Sequence, residues 1–194
     1  GGFFSLASWR DDGVSRKLFM ESLVSSTFHP PQRILMGPGP SDVSPRVLSA
    51  SARPTIGHLD PAFVGLMDDV KRLLQFAFQT RNELTIPLSA PGSAGMEAAF
   101  VNLLEPGDTA IVCQNGVFGG RMKENVERCG ATAVMVQDRW GDPVNPEKVS
   151  AAIQANPHAK VLAFVHAETS TGAHQPLVNI SKSAHDAGML FLVD

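Results

Sequence analysis

The order of apolar runs along this 194-residue chain predicts an α/β fold, a mostly parallel sheet sandwiched by helices. Three observations carry that expectation. From Asp60 onward, five strand-like runs alternate with five helix-like segments. The strand-like runs are short and apolar at both odd and even positions, as strands covered on both faces are. Three of the helix-like segments open on Asp60-Pro61, Gly92-Ser93 and Pro146, and two are followed by Gly130 and Gly188. Alternation of this kind implies right-handed crossovers between parallel strands.

The elements follow in order. Asp60 reads as an N-cap, with Pro61 at the first helical position. Phe63, Leu66, Met67, Val70, Leu73, Leu74 and Ala77 recur at three- and four-residue spacing, which predicts an amphipathic helix to about Gln79. Leu84–Ser89 is expected as a short strand. Gly92 and Ser93 open a second helix running through Leu104, ended by Glu105-Pro106-Gly107-Asp108. Strands are expected at Thr109–Cys113, Ala131–Val136, Lys160–His166 and Met189–Val193. Helices are expected at Val117–Cys129, Pro146–Ala155 and Leu177–Ala187, with Gly130 and Gly188 as stops.

The remainder divides simply. Residues 1–29 form an N-terminal extension without clear periodicity, and Met20 within it is a candidate native start. Residues 30–59 read as an irregular arm, because Pro30, Pro31, Pro38, Pro40 and Pro45 exclude helix and central strand over 29–46. The main domain is expected over 60–194. Its abrupt end at Asp194, straight after an apolar run, suggests a fragment of a longer chain.

Composition narrows the function classes. With 16 basic against 19 acidic residues, net charge −3, the chain has no basic field for nucleic acid or an anionic membrane. No apolar run approaches the roughly 18–20 residues of a membrane-spanning helix. Two cysteines, Cys113 and Cys129, suit a reducing compartment. The six histidines are scattered, with neither HxxxH nor CxxC, so no metal site is expected. There is no Gly-x-Ser-x-Gly elbow, no Walker A sequence and no GxGxxG.

Ligands of open α/β sheets bind beyond the carboxyl ends of the strands, so the loops there bear the chemistry. Ser89-Ala90-Pro91-Gly92-Ser93-Ala94-Gly95 runs small residues into a helix start. Free amides and the positive helix end there suit a phosphate, although a tight turn with nothing bound reads equally well. Phe118, at a helix start among glycines, is placed to stack on a flat ring or to cap the core. His166-Ala167-Glu168-Thr169-Ser170-Thr171-Gly172 is dense in hydrogen-bonding groups, either for ring substituents or for a polar turn. Asp194, a carboxylate ending an apolar strand, calls for a cation such as a protonated pyridine nitrogen, unless it is an ordinary exposed terminus.

These loops, taken together, resemble the class V, fold-type-I aminotransferases that use pyridoxal 5′-phosphate, and within them the alanine–glyoxylate (serine–pyruvate) branch. The resemblance covers residue 30 to the end. It is carried by Leu35-Met36-Gly37-Pro38-Gly39-Pro40-Ser41, Phe78-Gln79-Thr80-Arg81-Asn82, Gly92-Ser93-Ala94-Gly95-Met96-Glu97-Ala98-Ala99, Leu104-Glu105-Pro106-Gly107-Asp108, Asn115-Gly116-Val117-Phe118-Gly119, the 166–172 loop and Leu192-Val193-Asp194.

The resemblance implies roles. Gly92, Ser93 and Ala94 would hold the cofactor phosphate. Phe118 would stack on the pyridine ring, where the family often has Trp or Tyr. Thr169 would bond near the ring hydroxyl, Asp194 would pair with the pyridinium nitrogen, and Gly39 would face the substrate. It also implies transfer of an amino group from alanine or serine to a 2-oxo acid such as glyoxylate, by a homodimer, while the two cysteines and the lack of a signal-peptide pattern point to the cytoplasm. A peroxisomal address would be C-terminal, beyond this chain.

The chain departs from the family in two ways. Where the family has Ser-Gly-Ser/Thr-Gly, this chain has Ala90-Pro91-Gly92, and Pro91 offers neither amide nor hydroxyl. The Schiff-base lysine, expected downstream of Asp194, is not among Lys17, Lys71, Lys123, Lys148, Lys160 and Lys182. The substrate-reading arginine of a C-terminal domain is missing too. The alternatives are another fold-type-I enzyme (a desulfurase, lyase or aminoethylphosphonate transaminase) and a non-catalytic α/β fragment. The Gly37-Pro38-Gly39-Pro40-Ser41 arm and the 166–172 loop favour the aminotransferase.

Overall fold

The computed structural model describes residues 29–194, so the expected extension at 1–29, with Met20, lies outside the described residues except for His29. The chain falls into two compact units, one ending at Arg53 and one from Pro54 to Asp194. In the first, residues 29–44 are irregular, as their prolines require, and α1 (Pro45–Ser51) follows. The expectation of an irregular arm over 30–59 missed this helix. Pro45 sits at its first turn, where a missing N–H costs nothing.

The second unit contains α2 (Pro61–Ala77), α3 (Gly92–Leu103), β1 (Thr109–Gln114), α4 (Val117–Arg128), β2 (Thr132–Gln137), α5 (Pro146–Ala155), β3 (Val161–Phe164), β4 (Ala167–Glu168), β5 (Ala173–His174), α6 (Val178–Asp186) and β6 (Leu190–Val193). Four strands form a parallel sheet in the order β2-β1-β3-β6. Asp60 is the cap the sequence announces and accepts the amide of Ala62; Asn145, not read as a cap from the sequence, accepts that of Glu147 ahead of Pro146-started α5. Gly130 and Gly188 take positive φ at 73° and 72°, ending α4 and α6.

The strand pleat sorts the core into two layers. Ala110 and Val112 of β1 and Ala163 of β3 meet Phe100 of α3 and Met122 and Val126 of α4 on one face. Ile111, Leu162 and Phe164 meet Val149 and Ile153 of α5 and Ile180 and Ala184 of α6 on the other. Successive side chains of one strand thus serve opposite layers, which is why the runs read apolar at both parities.

Two expectations fail. Leu84–Ser89 is not a strand: Leu84 is 84% exposed and Ile86 62%, and the segment is irregular. The apolar alternation is present, but the described residues offer no ladder partner, and Pro87 cannot donate to one. In the other direction, the 167–174 segment holds a short antiparallel hairpin, β4–β5, pairing Ala167 with His174 and Glu168 with Ala173. Gly172 closes its turn with φ 77°, and its amide bonds back to the Glu168 carbonyl at 2.8 Å.

Candidate functional site

β1 and β3 are neighbours, yet the chain leaves them in opposite directions, from β1 to β2 on one side and from β3 to β6 on the other. The crevice at their carboxyl ends is the switch point where open α/β sheets take ligands. Two segments flank it: Asn115–Val117, which leads into α4, and the hairpin turn after β3.

These segments are bonded to each other across some fifty positions of sequence. The Phe118 amide donates to Glu168 Oε2 at 3.2 Å, and the Val117 amide donates to Ser170 Oγ at 3.0 Å. Glu168 Oε1 accepts from the Ser170 amide at 3.2 Å and from its hydroxyl at 2.6 Å. Glu168 is only 1% exposed. The sequence left this side chain between ring substituents and a polar turn; it bonds locally to Ser170 and also to the α4 amide. Buried carboxylates require such donors, and the N-terminal end of a helix favours the charge. Gly116 makes room for it, since a Cβ there would stand 2.3 Å from Glu168 Cγ. Thr169 is exposed in the turn between Glu168 and Ser170.

Phe118 is half-buried and packs on the core layer beneath α3 and α4. One helical turn later, Arg121 lays its guanidinium over the Phe118 ring, 4.8 Å from the centroid. The same guanidinium donates to Ser93 Oγ at 3.2 Å. Arg121 therefore joins Phe118 to the start of α3. Sequence reasoning missed it, although its i, i+3 spacing from Phe118 was the available signal. At the α3 terminus Pro91 is an N-cap without a side-chain bond. The Ala94 amide is used by the Pro91 carbonyl at 2.9 Å. Of the expected trio, Gly92 and Ser93 keep amides with no intrahelical acceptor, and Ala94 does not.

Asp194 follows β6, next to β3. Its backbone is tied at both ends: its amide donates to the Phe164 carbonyl at 3.1 Å and its carbonyl accepts the His166 amide at 2.8 Å. Desolvation, and then the charge of Glu168, hold its carboxyl above the usual range. No ion pair reaches it among the described residues. His166 is a structural histidine, its Nδ1 2.8 Å from the Gln175 carbonyl, which requires the proton on Nδ1. Gly39 lies in the first unit, exposed, and the site above is built from the second unit alone.

All five described lysines are engaged elsewhere. Lys71 pairs with Glu83, Lys123 with Glu127, Lys148 with Asp138, Lys160 with Asp108 and Lys182 with Asp186. Burial, and then the charge of Asp138, push the Cys113 thiol up to about 12, so it is no nucleophile.

This site sits in a fold that defines a class. The class-V aminotransferase family model matches residues 46–194, and the chain belongs to that family. The chain is 39% identical over 191 residues to an alanine–glyoxylate aminotransferase of Rattus norvegicus, covering 97% of this chain and 46% of the relative. It is 38% identical over 164 residues to a (S)-ureidoglycine–glyoxylate transaminase of Bacillus subtilis, covering 84% and 39%. Among solved structures, an alanine–glyoxylate aminotransferase of Nostoc sp. superposes with a TM-score of 0.86 at 39% identity, covering 97% of this chain and 48% of that one. The chain thus spans about half the length of the relatives it matches.

Proposed function

We propose that this chain is the cofactor-cradling part of a pyridoxal-phosphate transaminase that moves an amino group from a small amino acid, alanine or serine, to glyoxylate. The observation that supports the reading is the pair of links from the start of α4, through Arg121 to Ser93 and through Glu168 and Ser170 to the turn that bears Thr169, with Asp194 following the neighbouring β6. Both relatives named above have glyoxylate in their names and differ in the donor, which supports the acceptor more strongly than the donor.

The residues fit pyridoxal 5′-phosphate on three counts. The α3 start has two uncommitted amides and a hydroxyl already bonded to a guanidinium, a donor set for a phosphate. Phe118 presents a half-buried aromatic ring. Asp194 has a carboxyl raised by desolvation and by Glu168, with no cation from the described residues, so a ring N–H⁺ would relieve it. Gly92 and Ser93 would then hold the phosphate, Phe118 would support the ring face, Thr169 would serve the ring hydroxyl and Asp194 would hold the pyridinium proton. The bound group supplies an electron sink for a substrate carbanion. Asp194 would sustain that sink by holding a proton on the ring nitrogen. We assign the Schiff-base role to none of the five described lysines, each of which is paired with an acid.

A homodimer is the expected assembly. Among the described residues none of α2 is buried, and Phe76 is 75% exposed. An apolar face of that size supports an interface. Both unpaired cysteines suit a reducing, cytoplasmic setting.

The test is the natural full-length protein with alanine and glyoxylate, read by pyruvate and glycine formation. Transfer to glyoxylate is expected. Failure with every 2-oxo acid tried, in protein loaded with the cofactor, overturns the reading. The isolated chain is expected to bind pyridoxal 5′-phosphate reversibly, with no cofactor retained on a lysine after borohydride.

A further inference from the structure

We propose that Glu168 is a positioning residue that locks the start of α4, which carries Phe118, to the β4–β5 turn, which carries Thr169. The inference rests on the reading of Phe118 and Thr169 as the groups that face the cofactor, and it adds how their separation is fixed.

Neither group sits on a rigid strand. Phe118 is on the first turn of a helix entered through Gly116, and Thr169 is exposed in a four-residue turn between two-residue strands. Glycine and short ladders leave both ends free to move unless something crosses between them. Glu168 crosses. One carboxylate oxygen takes the Phe118 amide at 3.2 Å, and the other takes the amide and hydroxyl of Ser170 at 3.2 and 2.6 Å. Ser170 Oγ returns the bond by accepting the Val117 amide at 3.0 Å. Residues 117 and 118 and residues 168 and 170 thus form one closed circuit.

The chemistry of the circuit selects a carboxylate. All three groups that point at Glu168 are donors, so an acceptor-only side chain with two oxygens satisfies them. Glutamine would turn an NH₂ group against one of these donors, and aspartate is one methylene too short. The space is as specific as the charge. A Cβ on residue 116 would stand 2.3 Å from Glu168 Cγ and 2.4 Å from its Cδ, so only glycine lets the side chain pass. The charge also reaches the adjoining strand, where it helps to raise the Asp194 carboxyl.

Amide hydrogen exchange of the 194-residue chain without cofactor tests the lock. Glu168→Gln should speed exchange at Phe118 and Ser170 at least tenfold and leave Ile111 and Val112 in β1 unchanged. The Asp194 carboxyl, followed by carbon NMR, should titrate at lower pH in the variant, as loss of the Glu168 charge requires. Unchanged protection at Phe118 and Ser170 overturns the proposal, as does loss spread equally into β1. Should Glu168→Gln fail to fold, Ser170→Ala decides: it keeps the buried acid, and faster exchange at Val117 supports the circuit while unchanged exchange overturns it. Pyridoxal 5′-phosphate, titrated separately, should bind Glu168→Gln at least threefold more weakly. A wild-type chain that protects these amides but binds no pyridoxal 5′-phosphate leaves the lock standing and removes the cofactor reading. A chain that binds it equally well with and without the Glu168 charge removes the positioning role.

Discussion

Arg121 lies over Phe118, its guanidinium carbon 4.8 Å from the ring centroid, and reaches past it to Ser93 Oγ at 3.2 Å. The contact joins an expected ring-stacking residue to an expected phosphate residue, although 28 positions separate Ser93 from Arg121. A guanidinium is suited to this double use because it stacks through its plane and donates through its edge.

Arg121→Ala should therefore separate stability from binding. An exposed cation–π contact is worth about 0.5–1 kcal/mol, so the unfolding free energy should fall by no more than about 1 kcal/mol. Affinity for pyridoxal 5′-phosphate, measured by equilibrium dialysis, should fall about tenfold, the equivalent of about 1.4 kcal/mol from one lost charge-assisted contact. Arg121→Lys should recover only part of it, since an ammonium has no plane to lay on the ring. Equal affinity in all three proteins would remove Arg121 from the site.

Gly119 holds α4 close to β1. A Cβ there would meet the Cys113 carbonyl oxygen and Gln114 Cα, both at 2.7 Å, and neither backbone atom can yield. Gly119→Ala should push the helix start off the sheet and cost on the order of 1–3 kcal/mol in urea unfolding. Because Phe118 is the adjacent residue, cofactor binding should weaken in the same variant. A stable variant with unchanged binding would mean that the close approach sets nothing at the site.

Much of this was readable from local pattern, and the losses have a common cause. Asp60 and Pro61 announce α2 because capping chemistry acts within one turn. The two core layers were readable because residues 110–113 of β1 and all of β3 are apolar. Leu84–Ser89 was misread because its alternation is real while a strand also needs a partner, which no local window contains. Glu168 was seen as a polar group in a turn. Its bond to the amide of a residue 50 positions earlier depends on β1 and β3 being neighbours, a matter of topology. Arg121 was passed over because a solvated helix face is the ordinary place for arginine.

Pro91→Ser asks how much the departure at the α3 cap matters. Pro91 has extended backbone angles, φ −63° and ψ 156°, which a serine N-cap also adopts. Serine would add a capping bond worth about 1 kcal/mol. It would also lose the rigidity of proline in the unfolded chain, worth about 0.4–1 kcal/mol. These nearly cancel, so thermal unfolding should hardly move. The gain should appear in binding, where a new amide and hydroxyl beside Ser93 should tighten pyridoxal 5′-phosphate about three- to tenfold. Unchanged affinity would place the phosphate away from the α3 terminus.

Asp194 gives the sharpest opposition between stability and function. Desolvation and the charge of Glu168 raise its carboxyl in the folded chain. The folded state then holds a proton that the unfolded state has already released, so stability falls as pH rises from the ordinary carboxylate range through the raised folded value. Below the unfolded value both states are protonated and the effect vanishes. Asp108, lowered first by its bond from Lys160 and then by the Glu105 amide, works in the opposite sense, adding stability that is lost as pH falls through its depressed value. Asp194→Asn removes only the first contribution. The variant should match wild type in acid and become the more stable protein at neutral pH, measured by urea unfolding across the pH series. It should also bind pyridoxal 5′-phosphate more weakly, because the ring nitrogen loses its counter-charge. A carboxylate that destabilises the chain alone and strengthens it with the cofactor is the signature of a binding residue. A variant less stable than wild type at neutral pH would show instead that Asp194 serves the fold.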